Sequence, residues 1–304
     1  MSDKVKKQRW EFQAIPGFFA SHTEIAQQCA DGRFVTQPNL ALLSQEYPTD
    51  TAKPSSSDVR DWKRFAHYVR CLNRDAPSHT VYKVLYLTRH GCGYHNQKHA
   101  EVGTEAWNEH RSLLDGDGDS AWFDSFLNEI GIQSVKELGQ FWLDAVQNDG
   151  LPIPQTLYTS PLARRLQTTD HVFSRPMEVH RPPFQPIVKE HLRERFTMHI
   201  CDLRRPRSWI EKNYPGYKIE DNVTERDALS CQTREETDEE HCARKQQALE
   251  EVFSTDNNNN NNISISLTIH SFAISAILRV CHGEPFKVRE GTSLALLVRG
   301  EMMQ

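Results

Sequence analysis

The spacing of hydrophobic positions changes several times along the chain, and each change marks an element. In "VRDWKRFAHYVRCLN" (59–73), Trp62, Phe65, Tyr68, Val69 and Leu72 recur at helical spacing and predict a helix packed on a core. "YKVLYLTRH" (82–90) has a near-continuous apolar middle that suits a strand covered on both faces. "GIQSVKELGQFWLDAVQNDG" (131–150) returns to helical spacing through Val135, Leu138, Trp142 and Ala145, with Gly150 as its stop. "QTLYTSP" (155–161) is a short strand ended by Pro161, and "PLARRLQTTDHVF" (161–173) is a helix with proline in its first turn. "ISISLTIHS" (263–271) is a third strand, "FAISAILRVCHG" (272–283) a buried helix ending near Gly283, and "SLALLVRG" (293–300) a last strand. The acidic run "REETDEEHCARKQQALEEVF" (234–253) reads as a helix whose first-turn acids complement its dipole.

Strands alternating with helices imply an α/β protein, a three-layer α/β/α sandwich with a largely parallel central sheet. "PTDTAKPSSSD" (48–58) and "DNNNNNN" (256–262) read as exposed loops, and no internal repeat is found. Residues 1–304 are expected to form one domain, with 1–80 as an extension packed on a catalytic core of 81–304.

Composition narrows the function. Apolar residues make up 38% and charged residues 25%, which suits a soluble protein with a sizeable core. The net charge of −5 gives no overall basic field for nucleic acid, so any anion site is local. No apolar run reaches about 18 residues, and no membrane partner is expected. "MSDKVKKQRW" leads into no apolar segment and "EMMQ" carries no prenylation cysteine, so neither a signal peptide nor a lipid anchor is expected. Seven scattered cysteines without a CxxC pair read as reduced thiols in a cytoplasmic protein.

The chemistry sits at three strand tips. The first strand ends in Arg89-His90-Gly91. The second ends at Ser160 and leads to Arg164 in a helix's first turn. The third ends in His270-Ser271, again entering a helix. Ligands of open α/β sheets sit beyond such carboxyl ends. Arginine's planar fork matches phosphate oxygens two at a time, and helix N-termini favour an anion. The combination predicts a pocket for a phosphoryl group. Gly91 is expected to let the backbone approach that ligand.

"LTRHGCGYHN" resembles the opening motif of the histidine phosphatase superfamily in its phosphoglycerate mutase-like branch: Arg-His-Gly, four variable residues, then Asn. "YTSPLARRLQT" is similar to its second motif, "LRERF" with "CDLRRPRS" to the segment carrying its acid glutamate, and "SLTIHSFAI" to its second-histidine motif. "WFDSFLNEIGIQSV" resembles its Asp-x-x-Leu-Thr-x-x-Gly-x-Gln segment, with Asn128 where Thr is usual. The likeness runs from about Lys83 to Gly300, and larger, mostly fungal members carry a similar N-terminal extension.

The resemblance implies the roles. His90 is the nucleophile that becomes phosphohistidine. Arg89, Arg164 and His270 surround the transferring group, Asn96 adds a hydrogen bond, and Gly91 and Ser271 border it. Glu194 is the proton donor, with Glu190 as the alternative. The residue types fit the chemistry without the name. Fixed cations stabilise a transition state whose charge spreads over three oxygens, and imidazole is unprotonated near neutral pH. Arg204, Arg205 and Arg207 either meet a second acidic group of the substrate or pair with nearby acids.

Other signals are set aside. "DGDGD" (115–119) lacks the glycine and glutamate of a calcium loop and reads as a turn. His95 and His99 lack the glutamate and third ligand of a zinc site. Cys92 beside the nucleophile is a bystander or a low-pKa thiolate. The sequence therefore predicts a metal-free and cofactor-free phosphatase acting on a small phosphorylated molecule. A mutase-type transfer enzyme and a non-catalytic phospho-ligand binding module are the alternatives. The chain stops four residues after Gly300 without a lysine-rich tail to close over a site, which favours hydrolysis over transfer. The variable loops 93–118 and 195–234 and the N-terminal extension are expected to set the substrate, the last by bringing Trp10, Phe12, Phe18 or Phe19 to the pocket.

Overall fold

The computed structural model describes residues 9–50, 60–180, 183–256 and 262–303. The strands are β1 (Trp10–Ala14), β2 (Arg33–Phe34), β3 (Thr80–Arg89), β4 (Thr156–Thr159), β5 (Ile187–Val188), β6 (Lys218–Ile219), β7 (Ser264–Ile269), β8 (Lys287–Val288) and β9 (Ser293–Met302). The α-helices are α1 (His22–Gln28), α2 (Asp61–Asp75), α3 (Tyr94–Val102), α4 (Thr104–Glu109), α5 (Glu129–Asp144), α6 (Ala163–His180), α7 (Arg207–Asn213), α8 (Asp238–Asp256) and α9 (Ser271–Val280).

Seven strands form one sheet in the order β1-β9-β3-β7-β4-β5-β6. From β3 to β6 every pairing is parallel, while β9 runs antiparallel to both β3 and β1. The apolar run of β3 is split by the pleat. Leu85 and Leu87 face a cluster with Phe253 of α8 and Ile274 and Ile277 of α9. Val84 and Tyr86 face the opposite cluster, with Trp62 and Phe65 of α2, Val135, Leu138 and Trp142 of α5, and Phe173 of α6. Covering both faces this way produces the three layers and explains why β3 reads as continuously apolar.

The helix stops follow local chemistry. α5 passes into one π-helical turn (Ala145–Asp149), then ends at Gly150 in the left-handed region at φ 72°. Thr237 and Glu240 form a reciprocal cap at the start of α8, whose first turn is acidic as the charge pattern predicts. Most of the Pro/Ser-rich loop and of the asparagine run, 51–59 and 257–261, lies outside the described residues.

Trp10 and Phe12 are core residues, and Phe18 and Phe19 are partly buried against the core, where the sequence reading expects them to reach the pocket. Trp10 and Phe12 are buried, with Phe12 edge-on to Phe253 at 4.9 Å. Phe18 and Phe19 lie 5.3 and 5.6 Å from Phe65. Pairing of β1 with β9 puts alternate side chains of Trp10–Ala14 onto the sheet's inner face, which fixes them there.

Candidate active site

Three neighbouring strands end level with one another. Arg89 is opposite Ile269, and Thr159 is opposite Thr268, so the next residue of each strand leaves at the same edge. His90, Ser160 and His270 are those next residues. All three are buried. His90 N–H donates to Ile269 O at 3.3 Å, and Ser160 N–H to Thr268 O at 3.1 Å. The rings of His90 and His270 lie 5.8 Å apart, edge to face.

His90 Nδ1 lies 2.6 Å from Gly91 O. A carbonyl only accepts, so Nδ1 carries the proton and Nε2 keeps its lone pair. Burial, then the charges of Arg164 and Arg89, hold the imidazole well below its ordinary pKa. His90 is therefore a neutral base at neutral pH. Gly91 N–H donates to Thr168 Oγ1 at 3.2 Å, and that hydroxyl donates to Arg164 O at 2.7 Å, tying the loop to α6.

Gly91 is fixed by packing. A Cβ there would lie 2.6 Å from Gly131 O and 2.8 Å from Val135 Cγ1. Close packing of the loop on α5 therefore requires a glycine here. The helix N-termini are also already occupied. Ala163 N–H, opening α6, donates to Asp124 Oδ1 at 2.8 Å. On α9, Phe272 and Ala273 N–H donate to the Glu194 carboxylate at 3.1 and 2.9 Å. The anions at both helix ends are the protein's own carboxylates.

Glu194 accepts a third backbone N–H, from Arg195 at 3.0 Å, and its Oε2 stands 4.0 Å from His270 Nδ1. Burial pushes its pKa above the usual carboxylate value, against the pull of those N–H donors. Its segment is clamped by α8: Lys245 donates to His191 O and Arg193 O, and Arg244 to Arg193 O and Glu194 O. His270 Nε2 is 2.9 Å from Ser160 Oγ, and its Nδ1 is buried without a hydrogen-bond partner. Ser271 follows, half-buried, as the first residue of α9.

The arginines differ in what they touch. Arg164 is buried and donates from NH1 to Cys201 O at 2.9 Å, and its Nε has no partner. Arg89 donates to Val288 O and, at 2.6 Å, to Glu290 Oε1. Burial lowers its pKa against the charge of Glu290. Asn96 Oδ1 accepts from Gly93 N–H at 3.0 Å, so its carbonyl end belongs to the loop.

The alternatives have partners of their own. Glu190 accepts from Arg193 at 2.7 Å and Arg204 at 3.0 Å, which places it in an ion cluster. Arg204, Arg205 and Arg207 are likewise consumed within the fold. Arg204 bonds Glu190 and Thr224 O. Arg205 pairs with Asp124 at 3.2 Å and lies 4.5 Å over the Phe126 ring. Arg207 pairs with Glu211 at 2.8 Å. Burial pushes the Cys92 thiol up, which removes the thiolate alternative.

Sequence reasoning missed three residues. By spacing alone His95 invites only a zinc-ligand reading; the fold puts its ring 5.9 Å from that of His90 while His99 stacks on Trp107 at 5.6 Å. Asp124 and Glu290 hold the α6 N-terminus and Arg89 in place. No spacing rule finds Glu290, because it is 201 positions from its partner.

A family profile described as the histidine phosphatase superfamily (branch 1) matches residues 85–295. A protein of Arthroderma benhamiae named "Probable phosphoglycerate mutase" is 37% identical over 95% of this chain and 84% of its own length. "Probable phosphoglycerate mutase PMU1" of Saccharomyces cerevisiae is 28% identical over 94% of this chain and 95% of its own. A crystal structure of a phosphoglycerate mutase from Bacillus anthracis superposes with a TM-score of 0.41 at 16% identity, covering 66% of this chain and 81% of that one. The chain belongs to the histidine phosphatase superfamily, whose members act on phosphoryl groups of small molecules. No helix among the described residues is long and apolar enough to cross a membrane.

Proposed function

We propose that the chain hydrolyses a small-molecule phosphate ester, without a metal, through a phosphohistidine on His90. The carrying observation is the contact of His90 Nδ1 with the Gly91 carbonyl, which leaves Nε2 as a fixed, unprotonated nucleophile. Nε2 forms the N–P bond as the ester P–O bond breaks, and Glu194 donates its proton to the departing alkoxide. Water then attacks phosphorus, Glu194 takes a proton from it, the N–P bond breaks, and inorganic phosphate leaves. Arg89, Arg164 and His270 stabilise charge on the equatorial oxygens, with Asn96 adding its amide N–H. Gly91 and Ser271 border the group through their backbone. The seven free thiols support a reducing, cytoplasmic setting.

A mutase-type transfer is the second reading, favoured by the names of the two fungal relatives. Holding a bisphosphorylated intermediate needs a further cation cluster. Arg204 and Arg205, cations beside the acid segment, are bonded inside the fold, and Arg207 is paired with Glu211 at the surface, which favours hydrolysis.

p-Nitrophenyl phosphate turnover in EDTA, with acid-labile phosphoenzyme trapping, tests this reading. Wild type is expected to turn over and His90→Ala to lose about 10⁴-fold in rate together with the label. Equal turnover, or a label that persists in His90→Ala, refutes it. Phosphate release measured against phosphoglycerate interconversion on one sample separates hydrolysis from transfer. The rate has a sign in pH. The depressed His90 pKa puts the acid limb below the ordinary histidine range, and the raised Glu194 pKa puts the alkaline limb above the ordinary carboxylate range.

A further inference from the structure

We propose that His95 is a catalytic residue: a neutral imidazole whose N–H donates to an oxygen of the phosphoryl group held against Arg89 and Arg164. The proposal rests on the phosphohistidine reading and adds a third histidine to it. His95 is the second residue of α3 and is 8% exposed. Its ring centroid is 5.9 Å from that of His90, almost as near as the 5.8 Å of His270. Its backbone is anchored by donation from His95 N–H to Ser125 Oγ at 3.2 Å.

One observation says that the ring is placed for its polarity, and another that the loop is shaped to hold it. First, its Nδ1 is buried without a hydrogen-bond partner. A phenyl ring would fill the same space without that cost, so an imidazole here implies a partner that arrives with the ligand. Second, the loop makes room for it. A Cβ at Gly93 would lie 2.7 Å from His95 Nδ1 and 2.8 Å from Cε1. Gly93 has φ −100° and ψ 164°, which any residue adopts, so its smallness serves the ring, together with the Phe126 carbonyl 3.0 Å from the same Cβ, and not the backbone conformation.

The ring's electrostatics agree with this placement. Burial, Arg164 and Arg89, in that order, hold His95 well below its ordinary pKa, so both phosphate-facing guanidiniums also act on His95. A neutral donor inside a cationic cage binds an oxygen without taking a proton from the medium or competing with Glu194 for one.

The test compares His95→Phe, His95→Asn and His95→Gln, reading orthovanadate affinity, kcat and KM for p-nitrophenyl phosphate, and melting temperature. The phenylalanine variant is expected to fold, to lose about 10- to 100-fold in vanadate affinity and in kcat, and to keep its melting temperature. Asn, whose amide overlies Nδ1, or Gln, whose amide overlies Nε2, restores most of the loss and identifies the donor nitrogen. Unchanged vanadate affinity and kcat in a folded His95→Phe overturns the proposal. Should that variant not fold, the ¹⁵N resonances of His95 in wild type decide: a vanadate-induced shift at a ring nitrogen supports the contact, and none overturns it. A wild type that neither binds vanadate nor forms phosphohistidine sinks the underlying reading instead, and that result is distinguishable from a failure confined to position 95.

Discussion

Arg164 and Arg193 are both buried arginines beside the same sheet edge, and they live in opposite surroundings. Arg193 donates to Glu190 at 2.7 Å and to both oxygens of Asp227 at 2.5 and 2.9 Å, beside Arg204 on the same Glu190. Arg164 meets a carbonyl, and among the described residues no carboxylate pairs with it. A charge out of water must find an opposite charge. Arg193 has found it in the fold, and Arg164 has only the Cys201 carbonyl, which is why the proposed function gives it the phosphoryl group. The same residue type is thus tied to carboxylates in one place and left without one in the other.

The comparison can be broken by mutation. The largest effect is expected at Arg193→Met, which strands Asp227 and Glu190 and costs about 3–5 kcal/mol of stability, read as a fall in melting temperature. Arg164→Met is expected to leave melting unchanged or higher while kcat/KM falls about 10²- to 10³-fold. If the two variants exchange phenotypes, the assignment of roles is wrong.

Acid and base sharpen it further. Burial raises the Asp227 pKa, but Arg193 and the N–H donors of Arg204 and Leu229 together outweigh burial and leave it lowered. Its contribution is fully present above the ordinary aspartate range and is lost as pH falls through the lowered value. Glu194 is raised by burial, so its ionised form is the costly one, and stability falls as pH rises through that value. Glu194→Gln is expected to flatten the stability profile at the high end and remove the alkaline limb of the rate. Asp227→Asn should act only at the low end. Melting curves across pH for both variants check this pair. The smallest effect belongs to the exposed Arg279–Asp238 pair at 3.0 Å, where Arg279→Ala should shift stability by less than about 0.5 kcal/mol.

What the sequence made legible was whatever lies contiguously along it. His90, His270 and Arg164 follow directly from apolar runs, and a strand's tip is predictable once the strand is. The two-residue strands β2, β5, β6 and β8 carry no periodicity and went unseen. Contacts were harder to read than positions. Gly91 and the helix N-termini lie where expected; the glycine packs against α5 and the helix ends hold Glu194 and Asp124. Such partners are set by tertiary contact, across 39 positions for Ala163 with Asp124 and 79 for Ala273 with Glu194. His95 was overlooked because an isolated histidine has no sequence signature; its meaning comes from its neighbours.

The grip of Glu194 on the first amides of α9 makes the proton inventory mechanical. A carboxylate anchors those N–H groups more strongly than a carboxylic acid does. When the side chain gives its proton away the helix is tied down, and when it regains one the first turn loosens. Deuterium uptake at Phe272 and Ala273 would then trace the ionisation of Glu194, a readout that needs neither substrate nor dye.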